Sequence, residues 1–350
     1  MASFMRRISY KDALREAMHQ EMQRDPSVFV FGVGVPSHAK IFGTADGLVE
    51  AFGKDRCFDT PISEEAMTGF ALGAAIRGLR PIHIHIRVDF LLLAMSQLVN
   101  NVSSFIYSSG GTMKVPLVIR AIIGRGWGQG YQHSKALFSY FTHVPGLKVI
   151  APTSPADAKG LLTAAIRDDN PVVCMEHRWL YWGEEEVDEA PYEIPIGKGR
   201  ILRPGSDVTV VGISWMNAEA LVAAEWLAKR GIHIEVIDPR TLSPLDDELI
   251  VQSVRRTGRC VVADCDWLDS GFSAEVAARV SQQCFGQLKA PVRRVGSAQT
   301  PCPTVRELEN EFYANAGDIA AAVEDSLGVE RSVMPRELLY SHEHRFKGPF

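Results

Sequence analysis

The chain has 350 residues, 46% hydrophobic and 23% charged, a balance that excludes disordered, collagen-like and coiled-coil chains and leaves room for two globular domains. Its 37 basic and 42 acidic residues give a net charge of −5 with no long run of either sign, so neither a nucleic acid nor an anionic membrane is expected as a partner. No apolar stretch approaches the roughly 18 residues needed to cross a bilayer, Phe90 to Met95 being the longest.

In chain order, Ser9-Tyr10-Lys11-Asp12 has capping-box spacing with Asp in place of Glu, and Ala13, Leu14, Ala17, Met18 and Met22 follow at helical spacing. Val28 to Gly32 reads as a buried strand ending in glycine. The chain then alternates. Helices are predicted over Glu65 to Leu79, Phe90 to Tyr107 and Pro155 to Arg167, and strands over Pro81 to Val88, Pro116 to Ile123, Leu147 to Ile150 and Pro171 to Glu176. From Trp182 to Gly205 the pattern dissolves, with Glu184-Glu185-Glu186 and three prolines (191, 195, 204) marking an exposed connection. Alternation resumes with strands over Asp207 to Gly212, Ile232 to Ile237, Arg259 to Asp264 and Pro291 to Val295. Helices are predicted over Asn217 to Gly231, Asp246 to Arg256, Phe272 to Cys284 and Asp318 to Leu327. This is an α/β pattern of two doubly wound domains, 1–190 and 207–328, with a linker at 191–206 and a polar tail at 329–350 that either docks or stays mobile.

Six cysteines without a CxxC pair read as reduced thiols, and no apolar segment follows the arginines near Met1, so a cytoplasmic enzyme is expected. Gly32-Val33-Gly34 begins like a dinucleotide fingerprint, but Ser37 replaces the third glycine and Pro36 distorts the turn, so a plain turn is expected. His83 and His85 alternate on a strand and face one side; they suit either the start of a metal site or a hydrogen-bonded pair at a sheet or subunit boundary. Asp59 to Glu65 sits where a strand hands over to a helix, the place at which doubly wound sheets bind ligands. Glu64 and Glu65 either complement the helix dipole, or one of them faces a pocket; adjacent residues do not share a direction. Gly124 to Ser134 carries four glycines at alternate positions and ends in Gln132-His133-Ser134, which favours close backbone approach to a ligand. No GxSxG elbow, Walker loop or HExxH is present.

Phe58-Asp59-Thr60-Pro61-Ile62-Ser63-Glu64, Gly78-Leu79-Arg80-Pro81-Ile82, Gln132-His133-Ser134 and Ile237-Asp238-Pro239-Arg240-Thr241-Leu242 together resemble the β subunit of the thiamine-diphosphate-dependent 2-oxo acid dehydrogenases, of the pyruvate and branched-chain type. The likeness runs from about Ile8 to Leu327. It implies a transketolase-like pyrimidine-binding domain, a transketolase C-terminal domain, and oxidative decarboxylation of a 2-oxo acid with acyl transfer to lipoamide. By the same resemblance Glu64 hydrogen-bonds the cofactor's aminopyrimidine and takes part in its proton transfers, Phe90 stacks on that ring and Ile86 lines its pocket. His133 falls on the histidine proposed to act in transfer to lipoamide, and Leu117, Ala165, Asp168 and Asn170 fall on a potassium site.

The Gly-Asp-Gly that holds Mg²⁺ in this superfamily is absent, so an α subunit carrying the diphosphate and Mg²⁺ half is expected, together with a second β subunit and a lipoyl acyltransferase. The chain departs from the family where Gly32-Val33-Gly34-Val35 lacks an acidic pair and where Ile84-His85-Ile86-Arg87 replaces a strand carrying an acid. Rival expectations are an acetoin- or transketolase-type carboligase, an HxH metal hydrolase and a non-catalytic scaffold subunit.

Overall fold

The computed structural model describes residues 4–37, 39, 41–124 and 128–345, and the chain divides into two compact units. One contains residues 1–123 and 140–196, the other residues 124–139 and 197–350.

In the first unit, β1 (Met5–Ser9) leads into α1 (Tyr10–Arg24), whose N-cap Ser9 accepts from the Asp12 amide as the capping spacing predicts. The central sheet is built from β2 (Val28–Phe31), β3 (Cys57–Phe58), β4 (Arg80–His85), β5 (Val118–Ile123), β6 (Lys148–Ile150) and β7 (Val172–His177). They lie side by side in the order β6-β7-β5-β4-β2-β3, each pair parallel. Parallel strands buried on both faces require continuous apolar runs, which Val28–Phe31 and the aliphatic stretch of β5 supply. Helix α2 (Glu64–Ile76) follows β3, and α3 (Pro155–Arg167) follows β6 with Ser154 as its N-cap. A short strand β8 (Glu184–Asp188) pairs antiparallel with β1.

Two predicted elements come out differently. Strand β4 stops at His85, and Val88 begins a helical turn. The single helix predicted over Phe90 to Tyr107 is a broken series: an α turn Val88–Leu91, a 3₁₀ turn Leu92–Ala94, a π-type segment Gln97–Val102 and a last turn Phe105–Ser108. Its hydroxyls compete for the backbone, Ser103 Oγ donating to the Val99 carbonyl at 2.8 Å while the Ser103 amide reaches Leu98 O at 3.0 Å. Gly146 packs against this break so closely that a Cβ there would lie 2.1 Å from the Ser103 carbonyl oxygen. Among the described residues no single helix is long and apolar enough to cross a membrane.

The second unit is built on β9 (Arg200–Arg203), β10 (Val208–Gly212), β11 (Ile234–Asp238), β12 (Cys260–Trp267) and β13 (Arg293–Ser297) in the order β13-β12-β10-β11-β9, with β9 antiparallel at the edge. Helices α4 (Met216–Ala228), α5 (Asp247–Thr257), α6 (Phe272–Gln283) and α7 (Ala316–Leu327) accompany it, α7 opened by a capping box of Asn315 and Asp318. The tail docks on its own unit. Trp226 Nε1 donates to Ser332 Oγ at 2.7 Å, Ser341 Oγ to Glu219 at 2.6 Å, and Met334 and His342 are buried.

By its contacts the segment 124–139 groups with the second unit. The Phe138 amide donates to Asp266 at 3.1 Å and the Tyr313 hydroxyl to the Ser134 carbonyl at 2.9 Å, tying the glycine-rich loop to the second unit.

Candidate active site

At the carboxyl ends of β2, β3 and β4 lies a pocket of about 240 Å³, the edge of a parallel sheet at which ligands are bound. Three chain segments shape it. The turn after β2 contributes Val33, the β3–α2 connection contributes Thr60 to Glu64, and β4 with its exit contributes His83, Ile84, His85, Ile86 and then Phe90. Gly32 makes the turn possible. Its φ is +150°, and a Cβ there would stand 2.3 Å from the Ile84 carbonyl oxygen, so only glycine lets β2 leave the sheet beside β4. Asp59 then ties this turn to the next connection, its Oδ1 accepting from the amides of Gly34 and Thr60, both at 2.8 Å. The fingerprint-like glycines therefore build a turn, as expected.

Glu64 is the first residue of α2 and lines the pocket, half-buried, whereas Glu65 is exposed and does not. The Glu64 carboxylate has no hydrogen bond or ion pair among the described residues. Ile86 and Phe90 line the same pocket, so three of the expected site residues converge. Most of the remaining lining is apolar, from Val33, Pro61, Ile62, Met67 and Ile84, and among the described residues it includes no lysine or arginine. Such a cavity accepts a flat ring with one polar edge and offers nothing cationic to a diphosphate.

The histidine pair, which on sequence grounds suits a metal site or a boundary contact, belongs to this pocket. His83 Nδ1 lies 3.2 Å from His85 Nε2, Thr68 Oγ1 lies 3.5 Å from His83 Nδ1, and the Phe31 ring stacks on His83 at 4.5 Å. Burial holds the His83 pKa well below the usual range, with the neighbouring charge of His85 adding to it, and burial alone takes His85 down to about 3. Among the described residues no third histidine, cysteine or acid joins them, and the metal-hydrolase expectation lacks its ligand set. The signal was the alternation of two histidines on the strand that enters the site.

His133 lies in the segment belonging to the second unit and is half-buried, its amide donating to the Gly130 carbonyl at 3.3 Å. Gly130 has φ +65°, and a Cβ there would meet Thr304 Cγ2 at 2.6 Å, so this glycine lets the loop pass close to Thr304. Arg125 to Trp127, the middle of the glycine-rich loop, lies outside the described residues.

The four residues of the expected potassium site gather where α3 ends beside β5 and β7. Asp168 accepts from the Asn170 amide at 2.9 Å and its side chain at 2.8 Å, and pairs with Lys148 at 2.5 Å. The carbonyls of Leu117 and Ala165 accept backbone N–H groups from Val172 and Asp168. Lys148 already brings a positive charge to this carboxylate.

The sequence matches the family model for the transketolase pyrimidine binding domain over residues 6–182 and that for the transketolase C-terminal domain over residues 197–319. It is 43% identical over 332 residues to the acetoin:2,6-dichlorophenolindophenol oxidoreductase subunit beta of Cupriavidus necator, covering 92% of this chain and 98% of that one. It is 41% identical over 316 residues to the pyruvate dehydrogenase E1 component subunit beta of Rickettsia conorii, covering 90% of this chain and 97% of that protein. Among solved structures a split-gene transketolase, described as an inactive beta4 tetramer, superimposes with a TM-score of 0.71 at 24% identity over 93% of this chain and 99% of that one, a likeness of fold.

Proposed function

This chain belongs to the family of transketolase-type β subunits, and from that premise we propose that it is the β subunit of a thiamine-diphosphate-dependent 2-oxo acid dehydrogenase. Its reaction is oxidative decarboxylation of a 2-oxo acid with acyl transfer to lipoamide. The observation that carries this is a single one: an unpartnered carboxylate, Glu64, at the rim of an apolar pocket sized for a planar ring. When bound, thiamine diphosphate supplies a nucleophilic thiazolium carbon for addition to the 2-oxo group. Glu64 would hold the aminopyrimidine by a hydrogen bond to a ring nitrogen and carry the proton that moves there. Phe90 and Ile86 would pack on its faces and exclude water.

With no cation among the described lining residues and no Gly-Asp-Gly in the sequence, the diphosphate and its Mg²⁺ would sit on an α subunit, and the working assembly would pair two such subunits with two β chains. His133 would act at the acyl transfer to a lipoyl acyltransferase. A potassium ion would share Asp168 with Lys148 and take the free lone pairs of the Leu117 and Ala165 carbonyls, with Asn170 holding the loop; exchanging K⁺ for Na⁺ should then lower the unfolding temperature of the assembled enzyme.

Glu64→Gln tests the central assignment. In the enzyme co-purified with its partner subunit, kcat should fall by roughly 10²- to 10⁴-fold; turnover near that of the parent would move the proton transfer elsewhere. His133→Ala should spare decarboxylation read with an artificial electron acceptor and depress lipoyl acylation, and equal losses in both assays would remove its assigned role. A second reading, cleavage of acetoin, is favoured by the 43% identity to an acetoin oxidoreductase subunit. Assaying pyruvate and acetoin side by side with dichlorophenolindophenol separates the two.

A further inference from the structure

The two imidazoles of His83 and His85 are 3% and 5% exposed, hydrogen-bond to each other, and line the pocket that Glu64 lines. Held neutral by burial, each ring owns one donor and one acceptor nitrogen. Their shared bond uses one of each. His83 Nε2 and His85 Nδ1 are thereby left as one donor and one acceptor, in an order set by the tautomers, and neither has a partner among the described residues. Two open nitrogens on residues that line the cavity offer an occupant one donor and one acceptor. The surroundings leave both to the occupant. Phe31 from β2 covers His83 with its ring face, Ile119 and Ala121 stand opposite on β5, and Thr68 from α2 faces the Nδ1 already used. Among the described residues, Glu64 is the one acidic or basic side chain in the lining besides the pair itself.

We propose that His83 and His85 form a neutral donor–acceptor recognition group for the heteroaromatic ring that enters this pocket, positioning its amino and ring-nitrogen edge against Glu64. The proposal rests on the pocket being the aminopyrimidine site. It assigns specificity to the pair: a ring presenting both a donor and an acceptor satisfies it, and a hydrocarbon ring of equal size leaves both nitrogens unpaired.

The test uses the full chain co-purified with its partner subunit, ¹⁵N-labelled at histidine, titrated with thiamine diphosphate at fixed Mg²⁺. Before addition, the ring-nitrogen shifts of His83 and His85 should show one protonated and one bare nitrogen in each ring, unchanged from pH 5.5 to 8. On saturation, the shifts of His83 Nε2 and His85 Nδ1 should move. His85→Phe should weaken binding, measured by calorimetry, by roughly tenfold, and His85→Asn, which restores an amide near the Nδ1 position, should recover part of it at an unfolding temperature matched to His85→Phe. Saturable binding with unmoved imidazole shifts, or parental affinity in a folded His85→Phe, overturns the role of the pair while leaving the pocket reading intact. Failure of thiamine diphosphate to bind at all overturns both, and a histidine that titrates near pH 6.5 overturns the neutral pair.

Discussion

Gly32 leaves β2 at φ +150° within contact of the β4 backbone, and Asp59 fastens the turn it opens. A methyl group at this position would overlap the Ile84 carbonyl oxygen, so Gly32→Ala should cost about 3 kcal/mol or more and should lower cofactor affinity by shifting Val33. Thermal unfolding and calorimetry on the same variant check both. The sequence marked this glycine as a turn from its place after an apolar run, which is local information. It left Glu64 and Glu65 equivalent until the family resemblance separated them. Geometry separates them as well, because the first helical residue after Ser63 points into the pocket and the next points to solvent.

At the scale of elements, the agreement is closest where capping chemistry sets the boundary. The helix predicted over Pro155 to Arg167 spans those residues, opened by Ser154 Oγ accepting from the Asp157 amide. Ser154→Ala should therefore cost about 1 kcal/mol in denaturant unfolding. Neighbouring strands β5 and β7 are joined by a fully buried ion pair that the sequence did not announce. Arg120 donates to both oxygens of Glu176 at 2.5 and 2.7 Å, and the Tyr181 hydroxyl donates to Glu176 at 2.9 Å. Glu176→Gln would strand a buried guanidinium and should destabilise by about 3–5 kcal/mol. The double variant Arg120→Met/Glu176→Leu should lie much nearer the parent, since it removes both charges. The broken helix after Phe90 was illegible for a different reason. Its apolar spacing is helical, and the break comes from Ser103 competing for a backbone carbonyl and from Gly146 pressing on the same turn, 43 residues away.

The whole molecule is held in two units, and the segment bearing His133 belongs to the second through Asp266. Asp264 and Asp266 are buried close together. Desolvation first, and then the charge of Asp266, raises Asp264 to about 7; desolvation raises Asp266 as well. Unfolded, these carboxyls ionise near 3.8, so between that value and about 7 the unfolded chain binds fewer protons than the folded one. Stability of the second unit should therefore fall as pH rises through this window. Unfolding temperatures recorded from pH 4.5 to 8 should show that decline, and Asp266→Asn, which keeps an oxygen acceptor for the Phe138 amide, should flatten it. A profile of Asp266→Asn parallel to the parent would place the pH dependence in other groups.

The amino-acid sequence by itself determined the alternation of strands and helices, the cap at Ser9 and the presence of a carboxylate where a strand becomes a helix. These follow from hydrogen bonds and side-chain spacing within a few residues. Only the tertiary structure decided that Glu64, Phe90 and a mutually bonded His83–His85 pair share one cavity, that Asp266 claims the His133 loop, and that the tail returns to its own unit. Those outcomes depend on which side chains lose water against which others, and the partners in that exchange stand tens to hundreds of residues apart along the chain.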